Sequence, residues 1–209
     1  MYVASVTVSD YMTNCYLAGC EETKEAMIVD PGGNFESIQK MIEHSGYKIK
    51  YIVCTHGHHD HILATKQIKD YTQAKVYIHE KERKCLQNSL FNGAVVFGVK
   101  HESCKEDGTL SDGDELEVGN LRFSVIHTPG HTKGGICLYT PGHLFSGDTL
   151  FYGTIGRTDF PGGNYKEIVH SIQEKLYQLP EETIVYPGHG NKTTIGHEKM
   201  YNAVVRLER

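Results

Sequence analysis

The sequence predicts an α+β protein, a single domain in which two β-sheets pack together and helices cover their outer faces. Helix-like and strand-like segments alternate in both halves of the chain, and each half begins with strands joined in hairpin fashion. No segment rich in proline or serine divides the two halves. We therefore interpret residues 1–209 as one domain, a length at which about 70% of the unfolded surface can be buried.

The composition is that of a globular chain with an acidic balance. The 26 acidic and 21 basic residues leave a formal net charge of −5, whereas a protein that neutralises nucleic-acid phosphates would be basic, so we expect no nucleic-acid partner. No apolar run reaches the roughly 20 residues of a membrane span, and no signal-peptide pattern begins the chain. We expect a cytoplasmic protein with reduced thiols and no membrane partner. The sequence leaves its oligomeric state open.

The first half of the chain contains apolar runs that end at turn residues. Strands are predicted from these runs: Tyr2–Val8, Asn14–Gly19, Ala26–Asp30, Lys48–Thr55 and Lys75–His79. Helices are predicted between them from apolar residues three or four positions apart: Phe35–Ser45, His61–Tyr71 and Glu80–Gln87. Asn34 is expected to cap the first helix and Gly46 to close it.

The second half begins with residues 89–110, which have no clear period and are predicted to form a surface excursion. Hairpin-type turns then connect four predicted strands: Glu115–Val118, Arg122–His127, Gly135–Thr140 and His143–Ser146. Asn164 and Glu167 resemble a capping box, which predicts a helix ending near Leu179. A strand over Thr183–Tyr186 and a helix over Gly196–Arg206 complete the prediction.

The run Thr55–His61 (T-H-G-H-H-D-H) carries the strongest chemical signal, at the point where a predicted strand ends and a helix begins. His56 and His58, two residues apart in an extended loop, can point toward one metal ion. Asp60 and His61, at the start of the helix, can face a second position beside it. Imidazole suits zinc or iron, and carboxylate completes such a site. A solvated histidine-rich loop is the alternative, which this concentration of ligand-type side chains disfavours.

Three further residues also follow predicted strands and have glycine neighbours that let the backbone approach closely. They are His131 in T-P-G-H-T, Asp148 in S-G-D-T and His189 in Y-P-G-H-G. Each alone would be an ordinary turn residue. Together with the first run they make seven ligand-type side chains, enough for three on each of two metal ions and one shared carboxylate.

The motifs H-x-H-x-D-H, P-G-H-T, S-G-D-T and P-G-H-G, in this order and spacing, resemble those of the metallo-β-lactamase superfamily over nearly the whole chain. The resemblance implies a four-layer αββα sandwich with the site at one edge. It also distributes the ligands between two divalent metal ions: His56, His58 and His131 on one, Asp60, His61 and His189 on the other, and Asp148 bridging both.

The run G-D-T-L-F and the pair Gly156-Arg157 resemble the glyoxalase II branch, the hydroxyacylglutathione hydrolases. This implies hydrolysis of a small thioester by a hydroxide that bridges the two metal ions, for which zinc is the first choice and iron or manganese are alternatives. The longer glyoxalase II enzymes have a C-terminal helical region, an aromatic pair after Gly156-Arg157 and a tyrosine near the last histidine. None of these is found here, so the resemblance is to the short glyoxalase II-like hydrolases.

Arg157 is the candidate substrate-binding residue. It could anchor a substrate carboxylate through a bidentate contact or only hold Asp159, and the sequence leaves both readings open. The remaining eight of the 13 histidines lack a ligand-like context and are interpreted as surface or core residues.

A mononuclear iron persulfide dioxygenase is the rival function. That branch resembles this chain in the run G-R-T-D-F, Gly156–Phe160. It keeps one iron on the equivalents of His56, His131 and Asp148, with open positions for oxygen.

Overall fold

Two β-sheets of six strands each lie at the centre of the computed structural model, which describes residues 1–207. The last two residues of the predicted domain lie outside the described residues. The first sheet consists of β1 (Tyr2–Val8), β2 (Thr13–Gly19), β3 (Glu25–Val29), β4 (Lys48–Cys54), β5 (Lys75–His79) and β6 (Gly108–Leu110), in that order. β1 to β3 pair antiparallel, and β3 to β6 pair parallel.

The second sheet is built from the rest of the chain. Its strands are β7 (Glu115–Val118), β8 (Leu121–His127), β9 (Ile136–Thr140), β10 (His143–Gly147), β13 (Ile184–Pro187) and β14 (Thr193–Thr194). They follow the order β14-β13-β10-β9-β8-β7, in which β10 and β13 are parallel. A two-stranded ribbon of β11 (Leu150–Phe151) and β12 (Thr154–Ile155) lies between β10 and β13 in the chain.

Helices connect the strands: α1 (Phe35–Ser45), α2 (His59–Ile62), α3 (Thr65–Thr72), α4 (Arg83–Gln87), α5 (Tyr165–Glu174) and α6 (Ile195–Tyr201). Single 3₁₀ turns cover Glu80–Glu82 and Leu176–Gln178. Within residues 1–207, no helix combines the length and the apolar character that crossing a lipid bilayer requires.

Three hydrophobic cores separate four layers. The first joins α1 and α3 to the outer face of the first sheet, with Ile38 and Ile68 buried against it. The second lies between the sheets, where Met27 and Val53 meet Phe145. The third covers the other face of the second sheet with α5 and α6. The predicted fold class, an α+β protein built as an αββα sandwich, is confirmed.

Four predicted helices have different bounds. The helix predicted over Glu80–Gln87 begins as a 3₁₀ turn, and the helix predicted to end near Leu179 ends at Glu174, before a 3₁₀ turn.

The single helix predicted over His61–Tyr71 is wrong, since α2 ends at Ile62 and α3 begins at Thr65. Between them the backbone N–H of Ala64 donates to the carbonyl of Pro31, a residue from the turn after β3. Because this N–H bonds to a distant turn and not to a carbonyl of the preceding helical turn, the helix is interrupted at this point.

The last predicted helix stops at Tyr201 rather than at Arg206. Asn202 takes an extended ψ of 128°, and its side-chain oxygen accepts hydrogen bonds from the backbone N–H groups of Val204 and Val205. An asparagine side chain that bonds nearby backbone in this way competes with helical hydrogen bonds.

The predicted cap of α1 is correct at one end only. Gly46 closes the helix with a left-handed φ of 68°, and its N–H donates to the carbonyl of Ile42. Asn34 makes no side-chain cap bond; its side-chain oxygen instead accepts from the backbone N–H of Ser9. This contact ties the start of α1 to the loop between β1 and β2.

The two sheets meet at the end where the candidate ligands lie. The N–H of Asn14, at the start of β2, donates to the carbonyl of Gly188 over 2.7 Å, and Thr13 forms an isolated β-bridge with His189. The loops after β3, β4, β8, β10 and β13 all open at this end. Because each predicted ligand follows a strand end, the layered fold brings them together here.

Candidate metal centre

The loop between β4 and α2 supplies the largest share of the site. The N–H of Thr55 donates to Asp30 Oδ1 over 2.7 Å, which fixes the start of the loop at the end of the neighbouring strand. Gly57 is required by close packing, since a Cβ there would lie 2.4 Å from the Cβ of Cys85. The loop is therefore clamped between the first sheet and α4.

The first cluster of ring nitrogens belongs to His56, His58 and His131. Nε2 of His56 lies 3.1 Å from Nδ1 of His58, which lies 2.9 Å from Nε2 of His131. His131 comes from the loop between β8 and β9, and its Nδ1 lies 2.7 Å from the carbonyl oxygen of Arg157. The backbone contact orients the ring so that Nε2 faces the other two histidines.

The second cluster consists of Asp60, His61 and His189. Nε2 of His61 lies 3.2 Å from Nε2 of His189, which lies 3.3 Å from Oδ2 of Asp60. The carboxylate of Asp60 also accepts a hydrogen bond from the hydroxyl of Thr13 over 3.1 Å. Nδ1 of His189 lies 3.0 Å from the carbonyl oxygen of Tyr11, in the loop between β1 and β2.

Asp148 lies between the two clusters. Its Oδ1 is 3.3 Å from Nε2 of His61, and its Oδ2 is 3.5 Å from Nε2 of both His131 and His189. Oδ1 is buried without a hydrogen bond of acceptable geometry. A buried carboxylate oxygen that lacks a donor, next to converging imidazole nitrogens, fits the donor set of a divalent cation site. All seven predicted ligands therefore meet in one place.

The pKa values divide the histidines into two kinds. Burial holds the pKa of His56 well below its ordinary value and lowers that of His58 to about 3, so both rings are neutral, the form that binds metal. Burial alone would also lower the pKa of His61 and His189. The carboxylates opposite them, Asp148 first, instead raise the pKa of His61 well above 6.5 and that of His189 to about 9.

The attraction between these histidines and the carboxylates also shifts the pKa values of the carboxylates. Burial alone would raise the pKa of Asp60 and Asp148, but the charge of His61 and the hydrogen bonds from His189 hold it well below the ordinary value. Both carboxylates are therefore ionised at neutral pH. A cation bound to these atoms would replace the protons on His61 and His189 as the opposing charge.

Asp30 is a part of the site that sequence reasoning missed. It is 2% exposed, and its Oδ2 accepts from the Thr55 hydroxyl over 2.7 Å and lies 2.9 Å from Nδ1 of His61. The available signal was an aspartate at a strand end before Pro-Gly-Gly. Gly32 in that turn packs so closely on α2 that a Cβ would lie 1.7 Å from the carbonyl oxygen of Asp60.

A cavity of about 740 Å³ opens over the two clusters. The ligands that face it include His58, Asp60 and His189. Its walls come from the loop between β1 and β2, from residues 90–97 and from the loop that follows β12. The first two of these walls were not predicted. Of the predicted surface segment 89–110, residues 108–110 instead form β6, and residues 90–97 turn inward to the site.

Arg157 lines this cavity with its side chain about half exposed. Its guanidinium donates to both carboxylate oxygens of Asp159, over 2.8 and 2.7 Å, and lies 3.6 Å from the centre of the Phe160 ring. The contact with Asp159 is thus present in the structure. Since the side chain also faces the cavity, a substrate carboxylate would compete with Asp159 for the same fork of donors.

Comparisons with known proteins agree with this geometry. The sequence profile of the metallo-beta-lactamase superfamily matches residues 8–189. The chain is similar to the hydroxyacylglutathione hydrolase GloC of Haemophilus influenzae, at 36% identity over 206 residues that cover 97% of each protein.

Two solved structures are similar over almost their whole length. The BLEG-1 B3 metallo-beta-lactamase superposes with a TM-score of 0.93 at 37% identity, covering 98% of this chain and 99% of that one. TTHA1623 in a di-iron-bound form superposes with a TM-score of 0.86 at 32% identity, covering 96% and 98%.

Proposed function

Because the chain belongs to the metallo-beta-lactamase superfamily, we propose that it is a metal-dependent hydrolase of small thioesters, similar in reaction to the hydroxyacylglutathione hydrolases. The relationship to GloC, which covers 97% of both proteins, supports the reaction class. The observation that carries the proposal is the meeting of seven ligand-type side chains in two clusters with the carboxylate of Asp148 between them.

Two divalent ions are proposed as the cofactors of this reaction. His56, His58 and His131 would hold one ion, Asp60, His61 and His189 would hold the other, and Asp148 would contact both. When bound, such a pair lowers the pKa of a water molecule between the ions toward 7 and polarises the substrate carbonyl. Zinc is our first choice, and the di-iron form of TTHA1623 makes iron the second.

The protein itself contributes orientation. Asp30, the Arg157 carbonyl and the Tyr11 carbonyl each contact the ring nitrogen on the far side of a candidate ligand, which sets the tautomer and aims the other nitrogen inward. Among the described residues that line the cavity, none is a serine or a cysteine, and the one threonine, Thr154, belongs to neither ligand cluster. This supports hydrolysis by water rather than by a side-chain nucleophile.

Arg157 is proposed to bind a carboxylate of the thiol carrier. Its place in the wall of the cavity supports this role, and its present partner Asp159 is largely exposed and can rotate into water. The carboxylate of the substrate would then take over the bidentate contact.

Thiol release distinguishes the candidates. Zinc-loaded protein should release thiol from lactoylglutathione and from thioesters of other small thiols, and a His189→Ala variant should lose this activity. Oxygen uptake with glutathione persulfide by iron-loaded protein, without thiol release, would replace the proposal by the iron dioxygenase. Hydrolysis of a β-lactam alone would instead favour a metallo-beta-lactamase activity, as in the name of the similar BLEG-1 protein.

A further inference from the structure

Residues 90–97 expose an unusual amount of apolar surface. Leu90 is 71% exposed, Phe91 57%, Val96 82% and Phe97 45%. All four line the cavity over the candidate metal centre. Single exposed apolar residues are common, but a contiguous group that faces a cavity marks a binding surface. We call these four residues the apolar wall.

The apolar wall is held in place from its base. Asn92 is buried, and its carbonyl accepts the backbone N–H of His59, the first residue of α2, over 3.0 Å. The side-chain nitrogen of Asn92 donates to the carbonyl of Cys85 over 2.8 Å. The segment is therefore attached to the helix that carries Asp60 and His61, and the wall has a defined position relative to the candidate ligands.

Aromatic contacts extend the wall across the cavity. The ring of Phe97 stacks on that of His59 with centroids 5.0 Å apart and lies edge-on to Tyr11 at 5.8 Å. It is 6.4 Å from Phe160, whose ring lies edge-on to His58 at 5.9 Å. A group packed against the edges of Phe97 and Phe160 would thus lie close to His58, a candidate metal ligand.

The charges of the cavity indicate which part of a substrate the wall receives. Among the described lining residues, Arg157 is the one arginine and no lysine occurs. Arg157 lies against the ring of Phe160, in the wall that follows β12, whereas residues 90–97 form a separate wall of the same cavity. When the carboxylate of a thiol carrier contacts Arg157, residues 90–97 remain available to the other end of the thioester. That end is the acyl group.

We propose that the apolar wall binds the acyl group of the substrate and selects thioesters with a bulky apolar acyl chain. The inference rests on the proposed thioester hydrolase function, and it names the substrate class for that site. Each fully buried methylene group strengthens binding by up to about fourfold, so chain length is a sensitive measure of the contact.

Binding of analogues tests the wall separately from catalysis. The probes are ketones in which a methylene group replaces the thioester sulfur, with the same carboxylate-bearing carrier and either an acetyl or a hexanoyl group. Calorimetry on zinc-loaded protein should show the hexanoyl analogue binding about tenfold or more tightly than the acetyl analogue, which corresponds to partial burial of its four extra methylene groups.

Val95 provides the matched control. It is 53% exposed in the same segment but does not line the cavity, whereas Val96 and Leu90 do. The double variant Leu90→Ser/Val96→Ser should reduce the preference for hexanoyl to about threefold or less. Val95→Ser should leave it unchanged. Since all three positions are exposed, none of the variants removes a core contact.

The results separate the inference from the proposed function. Equal binding of the two analogues, or an equal loss in Val95→Ser and in the double variant, overturns the inference even when thioesters are hydrolysed. A second result is a chain-length preference that depends on Leu90 and Val96 in a protein that hydrolyses no thioester of any length. This result overturns the proposed function, and the apolar wall is then a binding surface for apolar groups without a role in thioester hydrolysis.

Discussion

Nδ1 of His61 lies 2.9 Å from Oδ2 of Asp30, inside the protein, although His61 belongs to α2 and Asp30 to the turn after β3. The contact places a proton on Nδ1 and leaves Nε2 free to face His189 and Asp148. The same carboxylate accepts the N–H and the hydroxyl of Thr55. Asp30 therefore connects the turn after β3 to both ends of the histidine-rich run.

Asp30→Asn should weaken metal binding by about 10- to 100-fold, because the amide cannot accept from Thr55 and from His61 as the carboxylate does. Chelator competition on the zinc-loaded variant measures the affinity. Asp107→Asn is the control, since Asp107 also accepts a backbone N–H, that of Val76, but belongs to none of the ligand clusters. An unchanged zinc affinity in Asp30→Asn would contradict the supporting role of this residue.

Metal binding should release protons at neutral pH. The pKa of His189 is raised to about 9 and that of His61 is raised well above its ordinary value, so in metal-free protein both rings carry protons that a metal must displace. Apparent zinc affinity should therefore increase as the pH rises from 6.5 through about 9. Calorimetry in buffers of different ionisation enthalpy measures the release.

The folding stability of the metal-free protein should change with pH in the opposite direction to its zinc affinity. Because the folded pKa of His189 lies above its unfolded value, the stability it contributes to the metal-free protein is complete below about pH 6.5 and is lost as the pH rises through about 9. Chemical unfolding of metal-free protein over this range should show the loss, and His189→Ala should reduce it, with the remainder due to His61. A stability that rises between pH 6.5 and 9 would contradict the assignment.

His189→Ala should leave about one metal ion per chain in place of two and lower the turnover of thioesters by about 100-fold or more, since transition-state charge loses one of its two stabilising ions. Metal analysis and thiol release measure the two effects. His44→Ala, which removes an exposed histidine of α1, should change neither. Near-normal thioesterase activity in His189→Ala would refute the second metal site.

Arg157→Ala should raise KM for thioesters of acidic carriers by about tenfold and change kcat less, because it removes a contact made equally in the ground and transition states. Asp159→Asn tests the same contact in the opposite direction. This substitution removes the charge of the side chain that competes with the substrate carboxylate for the Arg157 guanidinium, so it should lower KM. Equal KM values in the two variants and in the wild type would show that Arg157 holds Asp159 and does not bind the substrate carboxylate.

The sequence by itself determined the layered fold and the position of the candidate ligands. His56, His58, Asp60 and His61 lie at one strand–helix junction, and His131, Asp148 and His189 each follow a strand beside a glycine. Both features depend on local spacing and turn chemistry, which a sequence displays directly. The fold then needed only to place the strand ends on one side of the sandwich.

The tertiary structure decided which groups orient the ligands and what surrounds them. The partners of His61 and His189 are Asp30 and the carbonyl of Tyr11, which lie 31 and 178 positions away in the chain. Leu90 and Val96 have no periodicity, and the bonds of Asn92 to His59 and Cys85 hold their segment beside the cavity. Hydrogen-bond partners and the exposure of apolar side chains depend on distances in the folded chain, and composition and spacing along the sequence do not contain those distances.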